Sequence, residues 1–178
     1  MFKIIAIISV AAVVLVGSVL IFAATRPNSF RVQRATSIQA SPEKIFLLIN
    51  DFHEWEAWSP WEKVDPAIKR DYSGVASGKG AVYEWNGNKD IGQGRMEIVE
   101  LAPPSRLALK IDFIKPMEAH NTIEFTLTTQ GDTTTLTQAM YGPSSYVHKL
   151  MGVFVSMDKM IGQKFAEGLA NLKTLSEQ

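Results

Sequence analysis

The sequence predicts an α+β protein: a curved seven-stranded antiparallel sheet around a long C-terminal helix, with two short helices after the first strand and one apolar helix ahead of it all. Three observations lead there. An uncharged run fills residues 4–24, short alternating segments between turn residues fill 68–141, and an apolar spacing of threes and fours runs from Val147 to Leu175.

The first run, Ile4 to Ala24, is 21 residues without a charge, which at about 1.5 Å per residue matches a hydrocarbon core of roughly 30 Å. Thirteen of these residues are Ile, Val, Leu or Phe, favouring insertion by about 4 to 8 kcal/mol, far more than Ser9, Gly17 and Ser18 oppose it. A cleaved signal peptide is the competing reading, since Lys3 supplies a basic start and Ala23-Ala24 small residues near the end. The run exceeds the roughly 7 to 15 residues of a signal core, and Phe22 is bulky where a cleavage site wants a small side chain. A single-pass membrane anchor at 4–24 is therefore expected, followed by a soluble domain at 28–178. Lys3 and the amino terminus precede the span while Arg26, Arg31 and Arg34 follow it, so charge does not orient it. The short lead resembles a signal anchor, which puts the soluble domain on the extracytoplasmic side.

Phe30 to Gln39 reads as the first strand. Ser41-Pro42-Glu43 then supplies an N-cap, a proline at the first helical position and an acid at the positive end of the helix dipole. Ile45, Phe46, Leu48 and Ile49 make that helix's apolar side, and Asn50-Asp51 stops it before a second short helix with Trp55 and Trp58. Between Ile68 and Tyr141 six more strands fit between turn signals such as Gly78-Lys79-Gly80, Asn86-Gly87-Asn88 and Gly131-Asp132. Leu107, Leu109, Ile111 and Phe113 alternate with Lys110 and Asp112, and Ile123, Phe125 and Leu127 alternate with Glu124, Thr126 and Thr128, so one face is buried and one wet. After Gly142-Pro143 the stripe Val147, Leu150, Phe154, Met157, Ile161, Phe165, Leu172 and Leu175 makes an amphipathic helix. The inner face of the sheet is the apolar surface it can cover.

Composition excludes several functions. Eighteen basic against eighteen acidic residues leave no net field to gather phosphates, so no nucleic-acid partner is expected. The chain has no cysteine, which removes disulfides, thiol catalysis and thiolate metal sites. No nucleophile elbow, phosphate-binding glycine loop or HExxH motif occurs, no second histidine sits at ligand spacing from His53, and no cofactor or metal is expected.

The order strand, two short helices, strand meander, long helix resembles the helix-grip fold of the START-related polyketide cyclase/dehydrase superfamily, abbreviated SRPBCC. The resemblance rests on Ser41-Pro42-Glu43-Lys44-Ile45-Phe46, on Trp55-x-x-Trp58-Ser59-Pro60-Trp61 with Asp65-Pro66, on Gly78-x-Gly80 with Tyr83-x-Trp85 and Gly87, on Gly92-x-Gly94 and on the final helix, over about residues 30–175. It implies a hydrophobic small molecule or lipid held between sheet and helix; a minority of such proteins are enzymes.

The residues themselves offer an apolar site with a few polar groups. Phe125 and Met140 from the sheet, with Phe154, Met157 and Ile161 from the helix, are its expected apolar walls, and Trp58 and Trp61 its expected lid. Period-2 alternation turns Asn121 inward with Ile123, Gln138 inward with Leu136 and Met140, and Arg34 inward with Val32 and Ile38. Each of these readings has a structural counterpart: the tryptophans packing the short helix onto the sheet, the methionines filling gaps, the polar groups hydrogen-bonded in the core. The expected function is membrane-anchored binding of a hydrophobic molecule. Two alternatives stand beside it: a cyclase, dehydrase or hydrolase using an inward Glu84 or Glu97 with Arg34 or Arg95, and a protein-interaction module presenting the tryptophan segment.

Overall fold

The structure is a computed structural model that describes residues 2–178. Helix α1 (Phe2–Thr25) is continuous and long and apolar enough to cross a membrane. Strand β1 (Ser29–Ile38) leads into α2 (Pro42–Asn50), whose N-cap Ser41 accepts a hydrogen bond from the Lys44 amide. A 3-10 turn (Phe52–Glu54), the short helix α3 (Trp55–Trp58) and a second 3-10 turn (Pro60–Lys63) follow.

The meander comprises β2 (Lys69–Gly74), β3 (Ala81–Asn86), β4 (Gln93–Ala102), β5 (Arg106–Lys115), β6 (Ala119–Gln130) and β7 (Thr133–Pro143). All neighbours are antiparallel in the order β1-β7-β6-β5-β4-β3-β2, so β1 closes onto the end of the meander and β1 and β2 are the two edges. The helices between β1 and β2 bridge those edges across the concave face. Bulges in β4 at Gln93/Gly94 and Ile98/Glu100 add curvature. At the first of them the Trp85 ring lies directly over Gly94, where any Cβ would collide with it.

The final segment departs from a single helix. It is two helices, α4 (Tyr146–Phe154) and α5 (Met157–Ser176), separated at Val155 and Ser156. Ser156 takes extended backbone and caps α5 by accepting from the Lys159 amide, and that local bond ends the continuity the apolar spacing implied. Helix α5 covers the sheet with Ile161, Phe165, Leu169 and Leu172. Helix α4 buries no residue and packs beside α1.

Candidate functional site

The packing of α5 on the sheet has a tryptophan-filled half and a polar-edged half. In the filled half, α3 drives Trp55 and Trp58 against Phe125 at the centre of the sheet, with edge-on ring contacts at 6.0 and 6.3 Å. Both indole N–H groups are satisfied at the end of α2: Trp55 donates to the Ile49 carbonyl at 3.1 Å and Trp58 to the Leu48 carbonyl at 3.0 Å. The Asn171 side-chain amide of α5 donates to the Trp58 carbonyl at 2.9 Å. Gly168 gives Trp58 and Pro60 room, since a Cβ there would lie 3.1 Å from the proline ring. Trp58 is thus 2% exposed, a core residue that locks three helices together. Trp61, half-buried, sits in the 3-10 turn beyond it.

The other half lies at the start of α5. Arg34 of β1 stands opposite Gln138 of β7, which stands opposite Phe125 of β6; Val32, Met140 and Ile123 form the next row. Arg34 reaches α5 and donates to both carboxylate oxygens of Asp158 at 2.9 Å. Gly162 permits this, because any Cβ there would strike the guanidinium. The fork-like pair holds the Asp158 carboxyl below, and the Arg34 guanidinium above, its ordinary range. Gln138 is 5% exposed, and its Oε1 has no hydrogen-bond partner within the protein. Met140 and Ile161 are buried, Met157 is half-buried, and Asn121 is half-buried with its amide oxygen over Gly142.

Of the ten candidate residues, Arg34, Asn121, Gln138, Met140, Met157 and Ile161 therefore lie on the first turns of α5 and on the strands of the same concave face. Trp58 and Phe125 form the plug that bounds this region. Phe154 does not join them: it sits on α4, 74% exposed.

A second cluster, which periodicity did not reveal, lies at the β2–β3 edge. Glu62 accepts from Arg70 at 2.7 Å and from the Tyr83 hydroxyl at 2.8 Å. Burial and that carboxylate together push the Tyr83 hydroxyl well above its ordinary range, and burial raises Tyr72. Beside them the His53 ring stacks on Tyr72 at 4.2 Å and its Nδ1 lies 2.7 Å from Asp51 Oδ1. His53 and Tyr72 line a cleft of about 240 Å³ with Phe52, Gly74 and Ala81. An ionised carboxylate only accepts, so Nδ1 is the donor in this contact, and in the neutral ring that leaves the lone pair on Nε2. The signal for this cluster was cross-strand: Tyr72 faces Tyr83 and Arg70 faces Trp85 only once register is known.

Glu84 is exposed, and Glu97, paired with Arg95 at 2.9 Å, alternates with the buried Met96 and Ile98 on the outer face, so none of the three points inward. The His120–Asp112 pair, 2.6 Å apart, is also on the outside. Among the described residues no three His, Asp or Glu side chains come together as a metal site.

A family model described as polyketide cyclase / dehydrase and lipid transport matches residues 29–177. No curated protein matches the sequence. Among solved structures, a Chromobacterium violaceum protein aligns with TM-score 0.59 at 16% identity, over 86% of this chain and 99% of that one. The Aha1 dimer of Colwellia psychrerythraea gives 0.57 at 20%, over 83% and 96%. Major latex-like protein 151 of Panax ginseng gives 0.58 at 14%, over 85% and 100%. At these identities the likeness is one of fold.

Proposed function

The chain belongs to the polyketide cyclase / dehydrase and lipid transport family, and from that premise we propose that it binds a hydrophobic small molecule or lipid between the sheet and the start of α5, tethered to a membrane by α1. One observation carries the site: the carbonyl oxygen of Gln138, buried on β7 between Arg34 and Phe125 of the neighbouring strands without a hydrogen-bond partner in the protein. Leaving such a group unpaired costs about 1 to 3 kcal/mol. A ligand hydroxyl or amide N–H that enters with an apolar body removes that cost. Arg34, already committed to Asp158, supports α5 rather than the ligand, and Met140 and Met157 supply an adaptable wall. The tether is supported by α1, whose residues Lys3–Thr25 are uncharged after Lys3 and free of Asp and Glu, and which is exposed along most of its length apart from its end beside α4.

The test is to purify the full chain in mild detergent, extract it under denaturing conditions and look by mass spectrometry for a stoichiometric amphiphile. The Gln138→Leu variant is expected to retain less of it and, compared with the parent after both are stripped of ligand, to be more stable by about 1 to 3 kcal/mol, because an orphaned acceptor has gone. A variant that keeps its full complement of ligand, or that is the less stable of the two when both are ligand-free, counts against the site.

A second reading, proton-transfer chemistry in the His53 cleft, is favoured by the Asp51-held imidazole stacked on Tyr72. It predicts that any turnover found is abolished by His53→Gln and spared by Gln138→Leu.

A further inference from the structure

Helix α4 poses a problem that the ligand site does not answer. A nine-residue amphipathic helix in a domain of this size ordinarily buries its apolar face. Here Val147, Met151 and Phe154, spaced i, i+4 and i+7 along one side, are all exposed, and Val155 and Met160 extend the patch around the corner into α5. Isolated exposed apolar residues need no explanation, whereas a contiguous stripe of them does.

What lies beside the stripe identifies its partner. Helix α4 packs against α1, and the Tyr146 hydroxyl at its start donates to the Leu20 carbonyl at 3.0 Å. Among the described residues of α1 only Ala23 is buried. Leu20 lies five residues before the end of α1, or about 7.5 Å along its axis. With the end of α1 placed at the membrane surface and its axis along the normal, that distance falls in the range of roughly 5 to 10 Å at which interfacial amphipathic helices rest. The connection is short and pinned: the Ser144 amide donates to the Asn28 carbonyl at 2.7 Å, and the Lys149 ammonium donates to the Asn28 side chain.

Charge agrees. Residues 25–37 and 144–164 contain six lysines and arginines and a single acid, Asp158, which pairs with Arg34; of the other five, Arg31 lies 4.0 Å from Glu124 of β6. In a chain whose net charge is zero, this end is locally basic, as the phosphates of a lipid surface would favour.

We propose that α4 and the α4–α5 corner form an interfacial membrane-binding element, with Val147, Met151 and Phe154 seated in the lipid headgroup and upper acyl region beside the end of α1. This inference rests on the tether proposed above and adds an orientation to it. The domain does not swing on a flexible stalk. It lies with the start of α5, and hence the polar-edged half of the grip, toward the lipid, so that a hydrophobic molecule passes between bilayer and site without crossing bulk water.

The absence of cysteine in the chain makes the test direct. Full-length protein is reconstituted in phosphatidylcholine vesicles containing phosphatidylglycerol, with one environment-sensitive fluorophore at Phe154→Cys, Val13→Cys or Leu47→Cys. Leu47 is the aqueous control, exposed on α2 near the far end of α5. The label at 154 is expected to be quenched several-fold more by lipids carrying a doxyl group near the glycerol than by iodide in the water. The label at 47 should show the reverse, and the label at 13 should respond most to a doxyl group near the acyl terminus.

A label at 154 as open to iodide as the one at 47, with 13 still in the bilayer, overturns the interfacial helix and leaves the tether standing. Loss of lipid quenching at 13 defeats the tether, and this inference with it. Shielding at 154 from both quenchers assigns the face to a protein partner or a second copy and overturns the proposal equally. Val147→Cys repeats the measurement at a second exposed position, so the outcome does not hang on one variant.

Discussion

Helices α4 and α5 carry one uninterrupted apolar spacing in the sequence, and the structure uses the two halves in opposite ways. In α5 the positions Ile161, Phe165, Leu169 and Leu172 are buried against the sheet and α3. In α4 the stripe's Val147 and Phe154 are exposed, as is Met151 beside them, Leu150 is half-buried, and the neighbour is α1. Amphipathicity therefore states that a face will be covered, not what will cover it. One half of the stripe belongs to the protein core and the other lies exposed beside α1, and a two-residue corner at Val155 and Ser156 separates them.

Substitution at matched aromatic positions tests that contrast most sharply. Phe165→Ala should cost about 3 to 5 kcal/mol, as expected for a buried ring with a cavity left behind. Phe154→Ala should change unfolding by no more than about 0.5 kcal/mol. Denaturant titration of the full chain followed by tryptophan fluorescence reads both, and comparable losses at the two sites would erase the distinction.

The corner itself is the next target. Ser156→Ala removes the acceptor for the Lys159 amide and should lower stability by about 1 kcal/mol, with faster amide exchange confined to the first turn of α5. Unchanged exchange there would mean that the cap does not define the break.

The smallest effect concerns the ion pair that pins this end of α5 to β1. Asp158 has its carboxyl lowered below the ordinary 3.8 by the Arg34 hydrogen bonds. A lowered carboxylate stabilises the folded state above its unfolded value, and that contribution is lost as pH falls through the folded one. The coupling between Arg34→Ala and Asp158→Asn in a double-mutant cycle should therefore be present at neutral pH and vanish as pH drops well below 3.8. Both side chains are substantially exposed, so it should also shrink with salt. A coupling that persists in acid would assign the contact to packing rather than charge.

Local chemistry was enough to read α2, because Ser41, Pro42 and Glu43 carry its start within three residues. It was enough for the strands as well, since alternation over Leu107 to Phe113 or Ile123 to Leu127 needs no partner to be seen. The same period-2 argument turned Gln138 and Asn121 toward the concave face. Other features were illegible for an identifiable reason. Trp58 was legible as apolar but not as the plug that joins α2, α5 and β6, since its hydrogen bonds and ring contacts involve Leu48, Asn171 and Phe125. Arg34 was legible as inward-facing but not as the partner of Asp158, 124 residues away. The outward position of Glu97 depended on where β4 bulges, and a bulge inverts the face of every residue after it.

By itself the sequence determined the strands and helices apart from the break at Val155 and Ser156, their order, the apolar N-terminal segment and the two-faced sheet, because each depends on residues within a few positions of one another. Only the tertiary structure decided that tryptophans fill half of the grip, that the Gln138 carbonyl is left without a partner in the other half, and that α4 lies against α1 instead of the sheet. Those outcomes depend on which surfaces compete for the same space, and packing resolves that competition across the whole chain at once.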